Sequence, residues 1–225
     1  MALHPASRTL LPVISPRRLR DVIALMAAVA ALSSCALGER PYLEATPTAA
    51  GSMSGDPAID AVLGRLDQVS SAVFTAGYRT VLVFDGTMSE VAATQADPTS
   101  RSTTVNDVRY ITEPSGNRTC SVSTAQCTPS IDAARTSNTG VTPDFVFGDV
   151  AKRLRRDAIS RIGPTVASTA EIAGQQATCV DVPVTGGVKV YCALDDGVLA
   201  RLVSGDVTAE LTAYQPSSDP ALFTP

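Results

Sequence analysis

The apolar positions of the chain predict one helix followed by a long series of strands. Asp56-Pro57 suits the N-cap and first position of a helix, and apolar residues then recur at three- and four-residue steps as far as Val73. From Tyr78 the residues alternate and become β-branched, and Thr80–Phe84 is the strongest early strand before a turn at Asp85. The pattern therefore indicates an amphipathic helix placed ahead of a sheet.

Turn-forming residues divide the rest of the chain into two antiparallel meanders. The predicted strands are 80–84, 89–96, 101–105, 108–112 and 118–122, then 166–172, 176–184, 188–194, 198–204 and 207–214. Between the meanders, residues 123–143 are predicted to be irregular. Residues 144–162 are predicted to form a second amphipathic helix, with Phe147, Val150, Leu154, Ala158 and Ile162 facing inward. This order gives an α+β fold in which a curved antiparallel sheet packs against two amphipathic helices.

The N-terminal region has the features of an export signal. Arg17, Arg18 and Arg20 precede an uncharged run, Val22–Leu32, which is too short to cross a bilayer. The sequence Leu32-Ser33-Ser34-Cys35 that follows resembles the bacterial lipobox. Residues 1–34 are therefore predicted to be a lipoprotein signal peptide, and acylation of Cys35 would hold the protein on the membrane. The alternative is an ordinary signal peptide with a chance cysteine.

The predicted domain organisation follows from this anchor. Residues 35–55 are predicted to contain the acylated cysteine and a flexible tether rich in Pro, Gly, Ser and Thr. Residues 56–214 are predicted to form a single domain, and residues 215–225 are predicted to form a loose tail. The route of export stays open, because Ser15–Arg20 also resembles a twin-arginine signal. Asp21 and the long segment before Arg17 also allow a later start codon.

Five cysteines occur, and four remain when Cys35 is set aside. An even number in an exported protein indicates two disulfides, and the spacing favours Cys120–Cys127 with Cys179–Cys192. A two-residue loop at Thr185-Gly186 would place Cys179 opposite Cys192, close enough for a disulfide. A zinc site is the alternative, but spacings of seven and thirteen residues, without C-x-x-C or histidine nearby, do not favour it.

Charge and histidine content argue against two classes of function. Four of the 18 Lys and Arg residues and one of the 22 Asp and Glu residues precede Cys35, so the rest of the chain carries a net charge of −7, which disfavours nucleic acid as a partner. The only histidine is His4, so the exported part lacks the commonest general base. Asp195-Asp196 is best interpreted as part of a hairpin turn. We predict neither catalytic residues nor a cofactor nor a metal site.

The order of lipobox, tether, helix, meander, second helix and second meander resembles the LolA-like superfamily of half-barrel lipid carriers, including the LppX and LprG lipoproteins. The resemblance covers residues 56–214 as an architecture, and its one sharp motif is Leu32–Cys35. It implies a half-barrel sheet that wraps helices and leaves an apolar cavity for acyl chains.

The leading hypothesis is a monomeric envelope lipoprotein, anchored on the extracytoplasmic face, that carries lipid or a lipid-linked molecule. The residues predicted to line its groove are Ile59, Leu63, Leu66, Leu82, Phe84, Tyr110, Phe145 and Phe147. Ordinary core packing is the alternative for each of these residues. The alternative for the whole protein is an envelope interaction module with a solid core and no small-molecule ligand.

Overall fold

A computed structural model describes residues 51–225. The predicted signal peptide, Cys35 and most of the tether lie outside the described residues. Within the described part of the chain, no helix has the length and apolar character needed to span a membrane.

The first helix, α1, spans Pro57–Leu66 and continues as a 3₁₀-helix over Asp67–Ser71. The Asp56 side chain caps it by accepting from the backbone N–H groups of Ala58 and Ile59, as its N-cap position predicts. The apolar stripe is buried up to Val69. Val73, which was predicted to continue the stripe, is exposed because the helical segment ends at Ser71.

Eleven antiparallel strands form one open sheet in the order β6-β5-β4-β3-β2-β1-β11-β10-β9-β8-β7. Their bounds are β1 Phe74–Leu82, β2 Met88–Asp97, β3 Ser100–Val105, β4 Val108–Glu113, β5 Gly116–Ser121, β6 Gln126–Pro129, β7 Val166–Ile172, β8 Gln175–Val184, β9 Gly187–Leu194, β10 Leu199–Val203 and β11 Val207–Gln215. The structure thus confirms the two predicted meanders. It also confirms the predicted α+β class. The two meanders are joined where β1 pairs with β11.

Both disulfides favoured by the spacing are present, and each joins residues that face one another on adjacent strands. Cys179 pairs with Cys192 in the β8–β9 register, with a Cα–Cα distance of 4.0 Å. Pro183 lies opposite Val188 in the same register, where a proline costs the ladder little. Cys120 on β5 lies opposite Cys127 on β6, and β6 belongs to the segment that was predicted to be irregular.

The segment 123–143 is more regular than predicted. It contains β6 and a short helix, α2, over Ala133–Thr139. Asp132 caps the first turn of α2, and Gly140 ends the helix with a φ of 66°, in the left-handed region. Both residues are common helix-end signals that a search for apolar periodicity overlooks, because α2 has a polar sequence.

The second predicted amphipathic helix is divided into two parts. Phe145–Asp149 forms a π-helical turn, in which the Asp149 N–H donates to the Asp144 carbonyl at 3.1 Å, and α3 then spans Val150–Ile159. Phe145, Val146 and Phe147 are all buried in this turn, whereas an amphipathic α-helix with one apolar face does not bury three consecutive residues. Ile162, predicted to face inward, is exposed because α3 ends three residues before it.

The C-terminal tail was predicted to be loose, but it is tied to the outer face of the sheet, opposite the helices. The Thr75 hydroxyl donates to the Ser217 carbonyl at 2.8 Å, and the Asp219 N–H donates to the Thr94 hydroxyl. The Arg109 guanidinium donates to the Ala221 and Thr224 carbonyls. These contacts cover Ile111 and Cys120, which are fully buried on the same side of the sheet.

Candidate functional site between the sheet and the helices

The predicted groove residues meet in the layer between the sheet and its helices. Ile59, Leu63 and Leu66 are the buried face of α1, and Tyr110 is buried on β4. Phe145 and Phe147 belong to the π-helical turn. All six belong to one apolar cluster, against which the half-buried Leu82 also packs. The structure thus brings together seven of the eight predicted residues.

Phe84 is the exception, because its side chain is 80% exposed. Strand β1 ends at Leu82, where the Leu82 N–H donates to the Thr87 carbonyl and the chain turns toward β2. Alternation along the strand predicted an inward position for Phe84, but alternation does not continue beyond the last paired residue. Phe84 therefore does not belong to the layer between sheet and helices.

Side chains of the protein itself fill this layer. Tyr78, Tyr191, Leu154, Leu199 and Leu202 are among its largest fully buried side chains. Phe74 packs on Phe147 with a ring separation of 5.8 Å. Five surface clefts lie elsewhere on the described residues, and none of the five is lined by any of the eight predicted groove residues.

A buried polar cluster fixes α3 to the sheet. Asp157 on α3 is 2% exposed and accepts from the Lys189 ammonium at 2.7 Å and from the Tyr191 hydroxyl, both on β9. Burial, together with the hydrogen bond to Asp157, raises the pKa of Tyr191 well above its usual value. The cluster satisfies a buried carboxylate, so its role is to position the helix.

A second ion pair joins α3 to the 3₁₀-helix. Arg155, almost fully buried, donates to the Asp67 carboxylate and to the Ser52 carbonyl. Gln95 on β2 donates to the carbonyls of Val69 and Ala72, so it satisfies the end of the same 3₁₀-helix. The helical layer is thus held by side chains from both halves of the sheet.

Three buried hydroxyl groups lack a hydrogen-bond partner among the described residues, and two of them, on Tyr78 and Tyr110, belong to residues of the apolar cluster under the helices. Burial raises the pKa of Tyr78, as do the neighbouring Asp196 and Tyr214. An unpartnered buried hydroxyl costs about 1–3 kcal/mol unless water or a ligand reaches it. These two hydroxyl groups are therefore the strongest indication in the interior that a ligand could bind there.

The turn Asp195-Asp196-Gly197 closes the layer beside the C-terminal end of α1. Asp195 pairs with Arg65, and Asp196 accepts from the Tyr214 hydroxyl and from the Val198 N–H. Burial and the contact with Asp196 raise the pKa of Tyr214. The two carboxylates hold the turn in place, in agreement with their interpretation as turn residues.

Three basic residues on α3 or just after it are paired with carboxylates near the surface. Lys152 contacts Asp149 at 3.0 Å, Arg153 contacts Asp206 at 2.7 Å, and Arg161 pairs with Asp56. Exposed pairs of this kind contribute little to stability. Residues 51–225 contain no cluster of three or more His, Cys, Asp or Glu side chains that would hold a metal ion.

The outer face of the sheet carries a shallow cleft of about 460 Å³ over β1, β11 and β10. Arg79, Glu210 and Arg201 lie side by side across these strands, and Glu90 on β2 extends the row. The alternating charges neutralise one another, as is common for cross-strand pairs on a solvated face. The cleft therefore shows no concentration of one charge that would select an ionic ligand.

Comparison with known proteins identifies the fold. No family model and no curated protein matches the chain. Among solved structures, MucB aligns with 76% of this chain at 10% identity and a TM-score of 0.53. The chain resembles MucB in its fold. It spans 64% of the MucB chain, so the likeness concerns one part of that protein.

The likeness to MucB confirms the predicted resemblance to the LolA-like proteins at the level of the fold. Two mycobacterial proteins align less well. Lipoprotein LppX of Mycobacterium tuberculosis has a TM-score of 0.39 at 15% identity, with 73% of this chain and 97% of LppX covered. LprF from Mycobacterium bovis has a TM-score of 0.34 at 9% identity, with coverages of 70% and 92%.

Proposed function

We propose that the chain is a non-enzymatic binding protein of the bacterial envelope, anchored through Cys35, that works through its outer surface. The observation that carries this proposal is the filled layer between the sheet and the helices. Leu63, Tyr78 and Tyr191 all lie in that layer and are at most 1% exposed. A ligand held there would have to displace closely packed side chains, which is costly in a well-packed interior.

The covalent chemistry supports an extracytoplasmic location. Leu32-Ser33-Ser34-Cys35 has the residues of a lipobox, and the other four cysteines are joined in pairs. Disulfides persist in oxidising compartments and are rare in the bacterial cytosol. An acylated Cys35 and two disulfides are mutually consistent in a protein of the cell surface.

Partner capture tests the binding function. The acylated chain would be cross-linked in intact cells of its host and purified, and the cross-linked proteins identified by mass spectrometry. We expect one envelope protein in stoichiometric amount, and Cys35→Ser should reduce its recovery because the anchor concentrates the domain at the membrane. Recovery of many proteins in trace amounts would contradict a dedicated binding surface.

A second candidate function is lipid binding between the sheet and the helices, and the unpartnered hydroxyls of Tyr78 and Tyr110 favour it. These groups would bind polar atoms of a lipid if the π-helical turn moved away from Phe74. Organic extraction of the purified, unacylated protein, followed by mass spectrometry, distinguishes the candidates. Stoichiometric lipid that is lost in Tyr78→Phe supports the carrier, and lipid-free protein supports the surface-binding proposal.

A further inference from the structure

Exposed apolar side chains are concentrated along one rim of the sheet. This is the rim at which β1, β8 and β10 end and at which β2, β7, β9 and β11 begin. Residues 51–225 contain ten large apolar side chains that are exposed, and Val73 is the one at the opposite rim. Val122 lies beyond β5. The other eight define what we call the apolar rim, and they are Met53, Val83, Phe84, Met88, Ile159, Ile162, Val166 and Val188.

Contacts between neighbouring turns place the central part of the apolar rim on one surface. The Val83 N–H, in the β1–β2 turn, donates to the Asp206 carbonyl of the β10–β11 turn at 2.9 Å. Asp206 and Val188 line one cleft, which joins the β10–β11 turn to the β8–β9 turn. Val83 and Val188 thus lie on either side of the β10–β11 turn, on the same surface.

The residues of the apolar rim that lie near α3 are next to this central part. The Ile162 N–H donates to the Pro183 carbonyl at 2.9 Å, and Pro183 lies opposite Val188. Ile159, at the end of α3, and Met53 line another cleft. Soluble monomers rarely expose a connected series of large apolar side chains unless the surface binds something.

The chain outside the described residues indicates what covers this surface. The described chain begins beside the apolar rim, since Met53 belongs to it and Asp56 pairs with Arg161 in the same region. Residues 36–50 connect this point to Cys35, and fifteen residues reach at most about 50 Å. The rim is therefore the part of the domain from which the chain leads back toward the anchor.

We propose that the apolar rim lies on the lipid bilayer, with Phe84 and Ile159 inserted among the lipid head groups. The inference rests on the proposed anchoring through Cys35. A surface with exposed Phe and Ile side chains, next to Arg153 and Arg161 whose charges are neutralised by Asp206 and Asp56, suits the membrane interface through its apolar side chains. In this orientation only the rim contacts the bilayer, and the outer face of the sheet remains accessible to other molecules.

Single tryptophans test this orientation, because the chain contains no tryptophan of its own. The acylated mature variants Phe84→Trp, Ile159→Trp and Val73→Trp would be reconstituted into vesicles of phosphatidylcholine and phosphatidylglycerol, with or without bromine on the acyl chains. Val73→Trp is the matched control, since Val73 is also exposed but lies at the opposite rim. Bromine should reduce emission about twofold at positions 84 and 159, because interfacial side chains lie ~5–10 Å into the boundary of the bilayer.

Little quenching at position 73 is expected. Equal quenching at positions 73 and 84, or none at either, would overturn the orientation. A blue shift at position 84 that rises with protein concentration without vesicles would assign the rim to a second copy of this chain instead. The anchor is tested separately by the mass of the peptide that contains Cys35. If that peptide carries no diacylglycerol, anchoring fails, and quenching of the same variants mixed with vesicles still decides the rim.

Discussion

The turn between β9 and β10 provides a measure of how closely the sheet contacts α1. Gly197 has a φ of +90°, and a Cβ atom at this position would lie 2.3 Å from the Arg65 carbonyl oxygen and 2.6 Å from the Val69 nitrogen. Gly186, in the β8–β9 turn, has a similar φ of +96°, but a Cβ atom there would have no neighbour within 4 Å among the described residues. The two glycines have similar φ angles and differ in their surroundings.

Alanine at either position carries the cost of a positive φ, about 1–2 kcal/mol. At Gly197 the obstructing atoms belong to the helix backbone and cannot rotate away, so overpacking adds about 1–3 kcal/mol. We therefore expect Gly186→Ala to lower the free energy of unfolding by about 1–2 kcal/mol and Gly197→Ala by about 2–5 kcal/mol, with Gly197→Ala losing about 1–3 kcal/mol more. Urea unfolding followed by circular dichroism measures both values, and equal losses would refute the close contact between turn and helix.

Three further predictions concern the stability of the fold. Asp157→Ala should lower the free energy of unfolding by about 3 kcal/mol, because it leaves the Tyr191 hydroxyl buried without an acceptor. Lys152→Ala on the same helix is the control and should lower it by less than about 1 kcal/mol. Similar losses for the two variants in urea unfolding would contradict the positioning role of Asp157. Replacing Cys179 and Cys192 by serine removes their disulfide and should lower the free energy of unfolding by about 3 kcal/mol. An unchanged midpoint of thermal unfolding would contradict this stabilising role. Asp56→Asn keeps the N-cap but removes a carboxylate. Burial alone would raise the pKa of Asp56, but hydrogen bonds from Ile59, Thr165 and Ala58, together with Arg161, hold it below its ordinary value. The wild-type carboxylate therefore stabilises the fold above about pH 4, and this contribution is lost as the pH falls through the folded pKa. As the pH is lowered, the free energy of unfolding of Asp56→Asn should fall less steeply than that of the wild type. An equal dependence on pH in the two proteins would exclude this stabilising role of the Asp56 carboxylate.

Local sequence was sufficient to predict the β8–β9 hairpin in detail. The two-residue loop at Thr185-Gly186 determines the pairing outward, and this register places Cys179 opposite Cys192. The start of α1 followed in the same way from Asp56 and Pro57, because an N-cap acts through its own neighbours. Features decided within a few residues were therefore accessible from the sequence.

Features decided by distant contacts were not accessible. The π-helical turn depends on Phe147 packing against Phe74 and beside Arg101, which lie on different strands. The tail is held by Arg109 and other side chains of the sheet, whose positions no local pattern reveals. The same limit applies to the candidate site, because burial of Tyr110 was predictable from alternation, whereas a filled layer around it depends on how several elements pack together.

The pairing of β1 with β11 has a consequence for the export proposed above. These strands come from opposite ends of the domain sequence, and their ladder is the one that joins the two meanders into a single sheet. Contacts between such distant segments form slowly, and here they cannot form until the last strand has been synthesised. A nascent chain with this topology stays incompletely folded until then, and this state is compatible with the proposed export if the chain crosses the membrane unfolded.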